Sequence, residues 1–290
     1  MAETATRLAS SAILTRNEIA DIAPTPKKKG SPMSAIIYER SGHLAHVRLN
    51  RPDHGNRFTM DMFSSLGRIL TEVDAEPELR CTLLTANGAH FSLGVDPTDV
   101  LPAWAAGKSP FDDDQVTPTG VTGPKRRKPL VTAINGNCFN VGLELALASD
   151  ICVAADNARF AFHEVMFGVY PFGGGLFRLI RAAGWGTAMR YSLTAEEFGA
   201  AEALAMNVVS LVWPPSEIEP AGIALAQKIC KAPPLAVQAA LAQAQSWADG
   251  GDATAFAHSV PDIIRLLNSR DATEAMRAMA EGRLPRFLGQ

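Results

Sequence analysis

Two glutamates, Glu144 and Glu164, stand where a carboxylate needs a reason. Glu164 lies in Phe160-Ala161-Phe162-His163-Glu164-Val165, and a carboxylate among aromatic side chains is either paired or put to use, because burying an unpaired charge is expensive. Glu144 closes the run Asn135-Gly136-Asn137-Cys138-Phe139-Asn140-Val141-Gly142-Leu143-Glu144, between an apolar stretch and a helical pattern. If Val141 opens that helix, its N–H and the Glu144 side chain fall within one turn, so one segment supplies an oxyanion donor and a carboxylate together. For Glu144 alone a capping charge is the simpler explanation, since an acid in the first turn complements the helix dipole. His163 reads as a structural neighbour with scope to tune Glu164 rather than as a base.

Two further segments repeat the junction of glycine with a strand end or helix start: Phe91-Ser92-Leu93-Gly94-Val95-Asp96, and Phe172-Gly173-Gly174-Gly175 after Glu164. Glycine there lets a ligand approach the backbone, and the free N–H groups of a helix start carry partial positive charge. Such turns can hold an oxyanion.

The elements that must position these residues follow from periodicity. Residues 35–38 and 44–49 predict two strands around the turn Ser41-Gly42. Residues 59–73 carry Met62, Leu66, Ile69, Leu70 and Val73 at helical spacing, and strands are predicted at 81–85, 130–134, 151–155 and 208–212, with a helix at 141–149. Strands alternating with helices imply an α/β core. After Pro214-Pro215 the pattern predicts helices at about 216–231, 235–248, 254–268 and 271–281. The organisation expected is an N-terminal extension (1–33), an α/β core with the site (34–214) and a helical C-terminal subdomain (215–290). Segment 101–128, with the run Asp112-Asp113-Asp114, is longer than ordinary connections and reads either as a lid over the site or as a solvated insertion.

Composition limits the partners. A net charge of −3 offers no basic surface for nucleic acid, and 47% hydrophobic content over 290 residues supports a large core without metal or disulfide staples. Cys81, Cys138, Cys152 and Cys230 form neither a CxxC pair nor a Cys/His cluster, so they read as buried free thiols, and no metal site is expected. No apolar run approaches the roughly 20 residues of a membrane span. Residues 1–33, rich in Ala, Thr and Ser and carrying Lys27-Lys28-Lys29, are expected to be disordered, and the protein cytoplasmic. Mitochondrial import is the alternative if this extension is a transit peptide, against which Glu3, Glu18 and Asp21 count.

Over about residues 35–290 the chain resembles the crotonase (enoyl-CoA hydratase/isomerase) superfamily. Val47-Arg48-Leu49-Asn50-Arg51-Pro52 with Asn56 looks like the family's opening strand and Asn-Arg-Pro turn. Phe91-Ser92-Leu93-Gly94-Val95-Asp96 resembles its Phe-Ser-Ala-Gly-x-Asp turn, and Ala133-Ile134-Asn135-Gly136 with Gly142-Leu143-Glu144-Leu145-Ala146 resembles its second oxyanion segment. Ala158-Arg159-Phe160 leading to Glu164, then Gly168-Val169-Tyr170-Pro171 and Gly173-Gly174, is similar to the second-glutamate segment, and 283–287 looks like the basic-aromatic C-terminus. Each motif is weak alone; their shared order and spacing are specific.

The resemblance implies a spiral of ββα repeats with a C-terminal helical subdomain, assembled as a homotrimer or homohexamer. Carried over by position, the N–H groups of Val95 and Val141 hold a thioester oxygen, and Glu144 and Glu164 flank the acyl α and β carbons. His54, Gly55, Leu93, Gly94, Asp96 and Gly142 line the coenzyme A path, which Phe287 covers, from the same or a neighbouring subunit. The implied activity is hydration of an enoyl-CoA without metal or redox cofactor, coenzyme A being part of the substrate. Family isomerases generally use a single glutamate at the position of Glu164, so the pair favours hydration over isomerisation, hydrolysis or another lyase reaction, or acyl-CoA binding without turnover. Three departures set this chain apart: Phe139-Asn140-Val141-Gly142 replaces consecutive glycines, His163 replaces proline, and Phe172 replaces a small residue. They point to a specialised acyl group.

Overall fold

The computed structural model describes residues 34–290; the expectations for 1–33 lie outside the described residues. A six-stranded sheet runs in the order β1-β2-β3-β4-β6-β9, built from β1 (Ile36–Ser41), β2 (Leu44–Leu49), β3 (Cys81–Ala86), β4 (Leu130–Ile134), β6 (Ile151–Ala155) and β9 (Leu211–Trp213). Only β1 pairs antiparallel; the other neighbours are parallel, with Leu44 opposite Cys81, Thr82 opposite Leu130 and Val131 opposite Ile151. β3 and β4 are buried almost throughout, which is why their sequences are continuous apolar runs rather than alternations.

A second layer of very short strands, β5 (Asn137–Phe139), β7 (Arg159–Ala161) and β8 (Phe198–Gly199), stands beside the first. Single bridges continue it, Ser92 to Cys138 and Phe58 to Val95. Each turn of chain therefore places a long strand in the large sheet, a short extended piece in the second layer, and then a helix. The pattern runs β2, Phe58, α1 (Met60–Ala75); β3, Ser92, α2 (Pro97–Ala105); β4, β5, α3 (Val141–Ala148); and β6, β7, α4 (Gly175–Ala183) with α5 (Trp185–Thr194). This is the spiral of ββα repeats, and it brings the pieces just before successive helices side by side.

The main core fills the space between the layers, with Phe58, Met62, Leu66, Phe91, Leu143, Phe160 and Phe198 buried. The other face of the large sheet is covered by α7 (Ile218–Lys231), whose Ile218, Ala226 and Cys230 pack on Leu44, Leu83 and Val131. Thr59 caps α1 by accepting from Met62 N, and Ser269 caps α9 (Arg270–Glu281) by accepting from Ala272 N. All four cysteines are free and buried.

Three expected elements differ in place. The strand expected at 208–212 begins only at Leu211, because Val208 and Val209 are buried in the turn that ends α6 (Ala200–Ala205), where both N–H groups donate to Ala203 O. The helices expected at 235–248 and 254–268 form one element, α8 (Pro234–Leu267), broken at Gly251 (φ 71°, ψ −168°). Segment 101–128 is neither free nor wholly solvated. After α2, Val116 N donates to Thr71 Oγ1 at 2.9 Å, Arg178 Nη2 donates to Thr119 O at 2.6 Å, and Asp74 accepts from the N–H groups of Arg127 and Lys128. Asp113 and Asp114 remain exposed.

Candidate active site

The two turns that sequence pattern paired are adjacent. Ser92 N donates to Asn137 O at 3.1 Å and Phe139 N to Ser92 O at 2.8 Å, so the Leu93-Gly94-Val95 turn lies against the entry to α3. Their closeness explains two glycines. A Cβ on Gly94 (φ 104°) would come within 2.9 Å of Asn140 Nδ2, and one on Gly142 within 3.1 Å of Ser92 Cβ. Among the described residues the N–H groups of Val95 and Val141 have no hydrogen-bond partner: Phe58 takes up the groups on either side of Val95, and Val141 is the first residue of α3. The arrangement holds two unspent donors at neighbouring turns.

Asn140 joins the pieces and is a residue that sequence reasoning read only as a departure. Its backbone is left-handed (φ 54°, ψ −120°), a conformation for which consecutive glycines would be the easier solution. In return its N–H donates to Ala161 O at 2.9 Å and its Oδ1 accepts from His163 N at 2.8 Å, tying the α3 entry to the turn that carries Glu164. A positive-φ demand inside Asn-Val-Gly was the available signal. His163 itself packs edge-on against Phe139, with ring centroids 4.8 Å apart, and its Nε2 lies 3.9 Å from Glu197. It is a structural neighbour of Glu164.

Glu144 is only 4% exposed. Its Oε1 accepts from Gly175 N at 3.3 Å, and the Gly173-Gly174-Gly175 run wraps it. A Cβ on Gly173 would lie 2.6 Å from Glu144 Oε2; one on Gly175 would lie 2.9 Å from Glu144 Cγ and 2.5 Å from Phe162 Cζ. Burial raises the Glu144 pKa to about 7, while N–H donation from Gly175 and Gly173 and the charge of Arg178 hold it back. Glu164 opens a 3-10 turn, Glu164–Phe167, and its Oε2 is buried without a partner among the described residues. Burial and the nearby charge of Glu144 raise it to about 8, opposed only by its own N–H. Both carboxyl groups are thus pushed up by burial, but their surroundings differ: N–H donors and Arg178 favour the ionised form of Glu144, whereas Glu164 Oε2 has no such partner among the described residues.

The remaining predicted positions divide. Gly55 follows the 3-10 turn Pro52–His54 and meets Leu93 directly, since Leu93 N donates to Gly55 O at 2.9 Å and a Cβ on Gly55 would lie 2.4 Å from Leu93 Cδ1. His54, Gly55, Leu93 and Gly94 therefore form one rim beside Val95. Asp96 is occupied structurally, capping α2 through Thr98 and pairing with Arg51 at 2.9 Å. Phe287 is not brought to this rim within the chain. Its carbonyl accepts from Arg80 Nη2 at 2.6 Å, at the start of β3, whereas Leu93 follows the end of that strand, and five strand rises of about 3.3 Å separate the two ends. Sequence reasoning also missed Arg178, which donates to Gly173 O at 3.0 Å, and Trp104 of α2, which stacks edge-on against Phe172 with centroids 4.8 Å apart.

Known proteins resemble the chain over most of its length. The family described as enoyl-CoA hydratase/isomerase matches residues 39–290. The chain is 33% identical to an enoyl-CoA hydratase of Mycobacterium tuberculosis over 87% of its own length and 95% of the relative's. It is 32% identical to the (E)-benzylidenesuccinyl-CoA hydratase of Thauera aromatica, over 88% and 99%. Among solved structures, a probable enoyl-CoA hydratase/isomerase from Mycobacterium abscessus superposes with a TM-score of 0.86 at 37% identity, covering 89% of this chain and 99% of the other.

Proposed function

Since the chain belongs to the enoyl-CoA hydratase/isomerase family, we propose that it adds water across the 2,3 double bond of an enoyl-CoA. The observation that carries this reading is the pair of buried carboxyl groups, one bonded by Gly175 N and the other with an unpartnered oxygen, beside two unspent N–H donors. The thioester oxygen accepts from Val95 and Val141. Glu144, the carboxylate whose ionised form the N–H donors and Arg178 favour, takes a proton from water as the water oxygen bonds to the β carbon. The π electrons move into an enolate held by the two N–H groups, each worth on the order of 3 kcal/mol to the transition state. Glu164 then gives its proton to the α carbon, and proton exchange with solvent resets both groups. No step calls for a metal or redox cofactor, and coenzyme A enters as part of the substrate, its path beginning at His54, Gly55 and Leu93.

Isomerisation needs one group to shuttle a proton, which Glu164 alone could do; the second buried acid favours hydration. That named relatives include hydratases of M. tuberculosis and T. aromatica supports the same choice. Self-assembly into a trimer or paired trimers is part of the reading, supported by the exposed apolar side chains Trp247, Phe256, Ile264 and Leu267 on α8 and Met276 and Met279 on α9. No helix among the described residues is long and apolar enough to cross a membrane.

Mass analysis of the product tests the reaction. With crotonyl-CoA the product is expected to be heavier by one water; an isomerised thioester of unchanged mass, or free coenzyme A, would replace the hydratase reading with an isomerase or hydrolase.

A further inference from the structure

We propose that Trp104 and Phe172 form an aromatic wall at the acyl end of the site and select a thioester bearing an aryl group on its β carbon over one with a long flexible chain. The inference rests on the acyl-CoA site proposed above. Its basis is a row of rings that spans the site. Phe58 hydrogen-bonds the backbone around Val95, with Phe58 N donating to Gly94 O at 2.9 Å and Asp96 N to Phe58 O at 2.8 Å. From Phe58 the row passes to Phe63 at 4.9 Å, to Trp104 at 5.8 Å and to Phe172 at 4.8 Å between centroids. Phe172 precedes Gly173, the residue pressed against the Glu144 carboxylate. The row therefore runs from the turn at Val95 to the glycine that borders the Glu144 carboxylate, the two ends between which the proposed site holds its acyl group.

The character of the row changes along its length. Phe58 and Phe63 are buried and anchor Trp104, whereas Phe172 is 51% exposed and keeps ring surface unspent. Trp104 and Phe172 meet edge to face, an interplanar angle of 82°, and at 4.8 Å the rings are in contact, so no polymethylene chain passes between them. A long acyl chain must force the pair apart and also surrender its rotamer freedom. A flat aryl group one bond beyond the β carbon ends against the wall and adds ring-to-ring contact. Phe172 is one of the three departures that point to a specialised acyl group, and its contact with Trp104 gives it a place at the acyl end.

The experiment is calorimetric binding of two unreactive saturated thioesters, 3-phenylpropanoyl-CoA and decanoyl-CoA, to the full chain and to Phe172→Ala and Trp104→Ala, each checked for its melting transition. The wild type is expected to bind the aryl thioester at least about tenfold more tightly than decanoyl-CoA, and each variant to shift that ratio by about tenfold toward decanoyl-CoA. A wild type without the preference, or two folded variants whose ratio stays within about twofold of it, overturns the proposal; so does failure of both thioesters to bind, which removes the acyl site itself. Because these ligands cannot be hydrated, the expected preference in a protein that hydrates nothing would overturn only the hydratase reading.

Discussion

Glu164→Gln is expected to lower the rate of crotonyl-CoA hydration by about 10² to 10⁴-fold while leaving KM within a fewfold of the wild type. Glutamine keeps the size and hydrogen-bonding shape of the protonated acid but has no proton to give the α carbon. The structure supplies the reason for so large an effect. Glu164 Oε2 is buried and unpartnered, and burial with the charge of Glu144 keeps the group protonated up to about pH 8. Such an atom costs free energy in the resting protein, so the same substitution should leave the melting temperature at pH 8 unchanged or raised. Steady-state rates with thermal melts on the same samples check both parts. A folded variant that keeps more than about a tenth of the rate would remove Glu164 from proton transfer.

Gly173→Ala should cost about 10²-fold in kcat with little loss of stability. The added methyl would start 2.6 Å from Glu144 Oε2 and 2.9 Å from its Cδ, so the carboxylate must swing away from the water it activates. Gly173 lacks the left-handed backbone of Gly174 (φ 90°), and its neighbour Phe172 is exposed, so the loop can accept a methyl without strain of its own. Gly175→Ala would not give so clean a reading, since its methyl also strikes the buried Phe162 at 2.5 Å. Kinetics and melting of Gly173→Ala separate the cases: a lost rate with the melting temperature within about 5 °C supports positioning of Glu144 by this glycine, and an unchanged rate refutes it.

The centre of the large sheet was legible in the sequence because its inner strands are buried on both faces: the runs 130–134 and 151–155 coincide with β4 and β6, whereas the edge strand β9 is partly exposed and was misplaced. The second layer was not. β5 and β7 have three residues each and β8 two, too few for any periodicity to show, and they exist only because the spiral stacks them on one another. Glu144, Glu164 and the glycine turns could be chosen from residue type and spacing, and the chain does bring them together. What spacing could not reveal is how their environments differ. The restraint on Glu144 comes from Gly173, Gly175 and Arg178, residues 29 or more positions away in sequence, and Trp104 on α2 is placed by packing against Phe63 of α1, 41 positions before it. Phe287 marks another limit: within the chain its carbonyl accepts from Arg80 at the start of β3, so the cover over coenzyme A that its motif position suggested falls to the copy on a neighbouring subunit, which one chain does not test.

The paired-carboxylate account is tested most directly by the pH dependence of kcat/KM for crotonyl-CoA, which reports groups of the free protein and so matches the ligand-free geometry. Activity should rise with pH as Glu144 ionises near 7 and fall as Glu164 loses its proton near 8, the limbs belonging to the interacting pair. The residual rate of Glu144→Gln should lose the acid limb, and that of Glu164→Gln the alkaline one. A wild-type profile that stays flat from about pH 6 to 9, or an alkaline limb that survives in Glu164→Gln, would contradict the assignment of acid and base to these two residues.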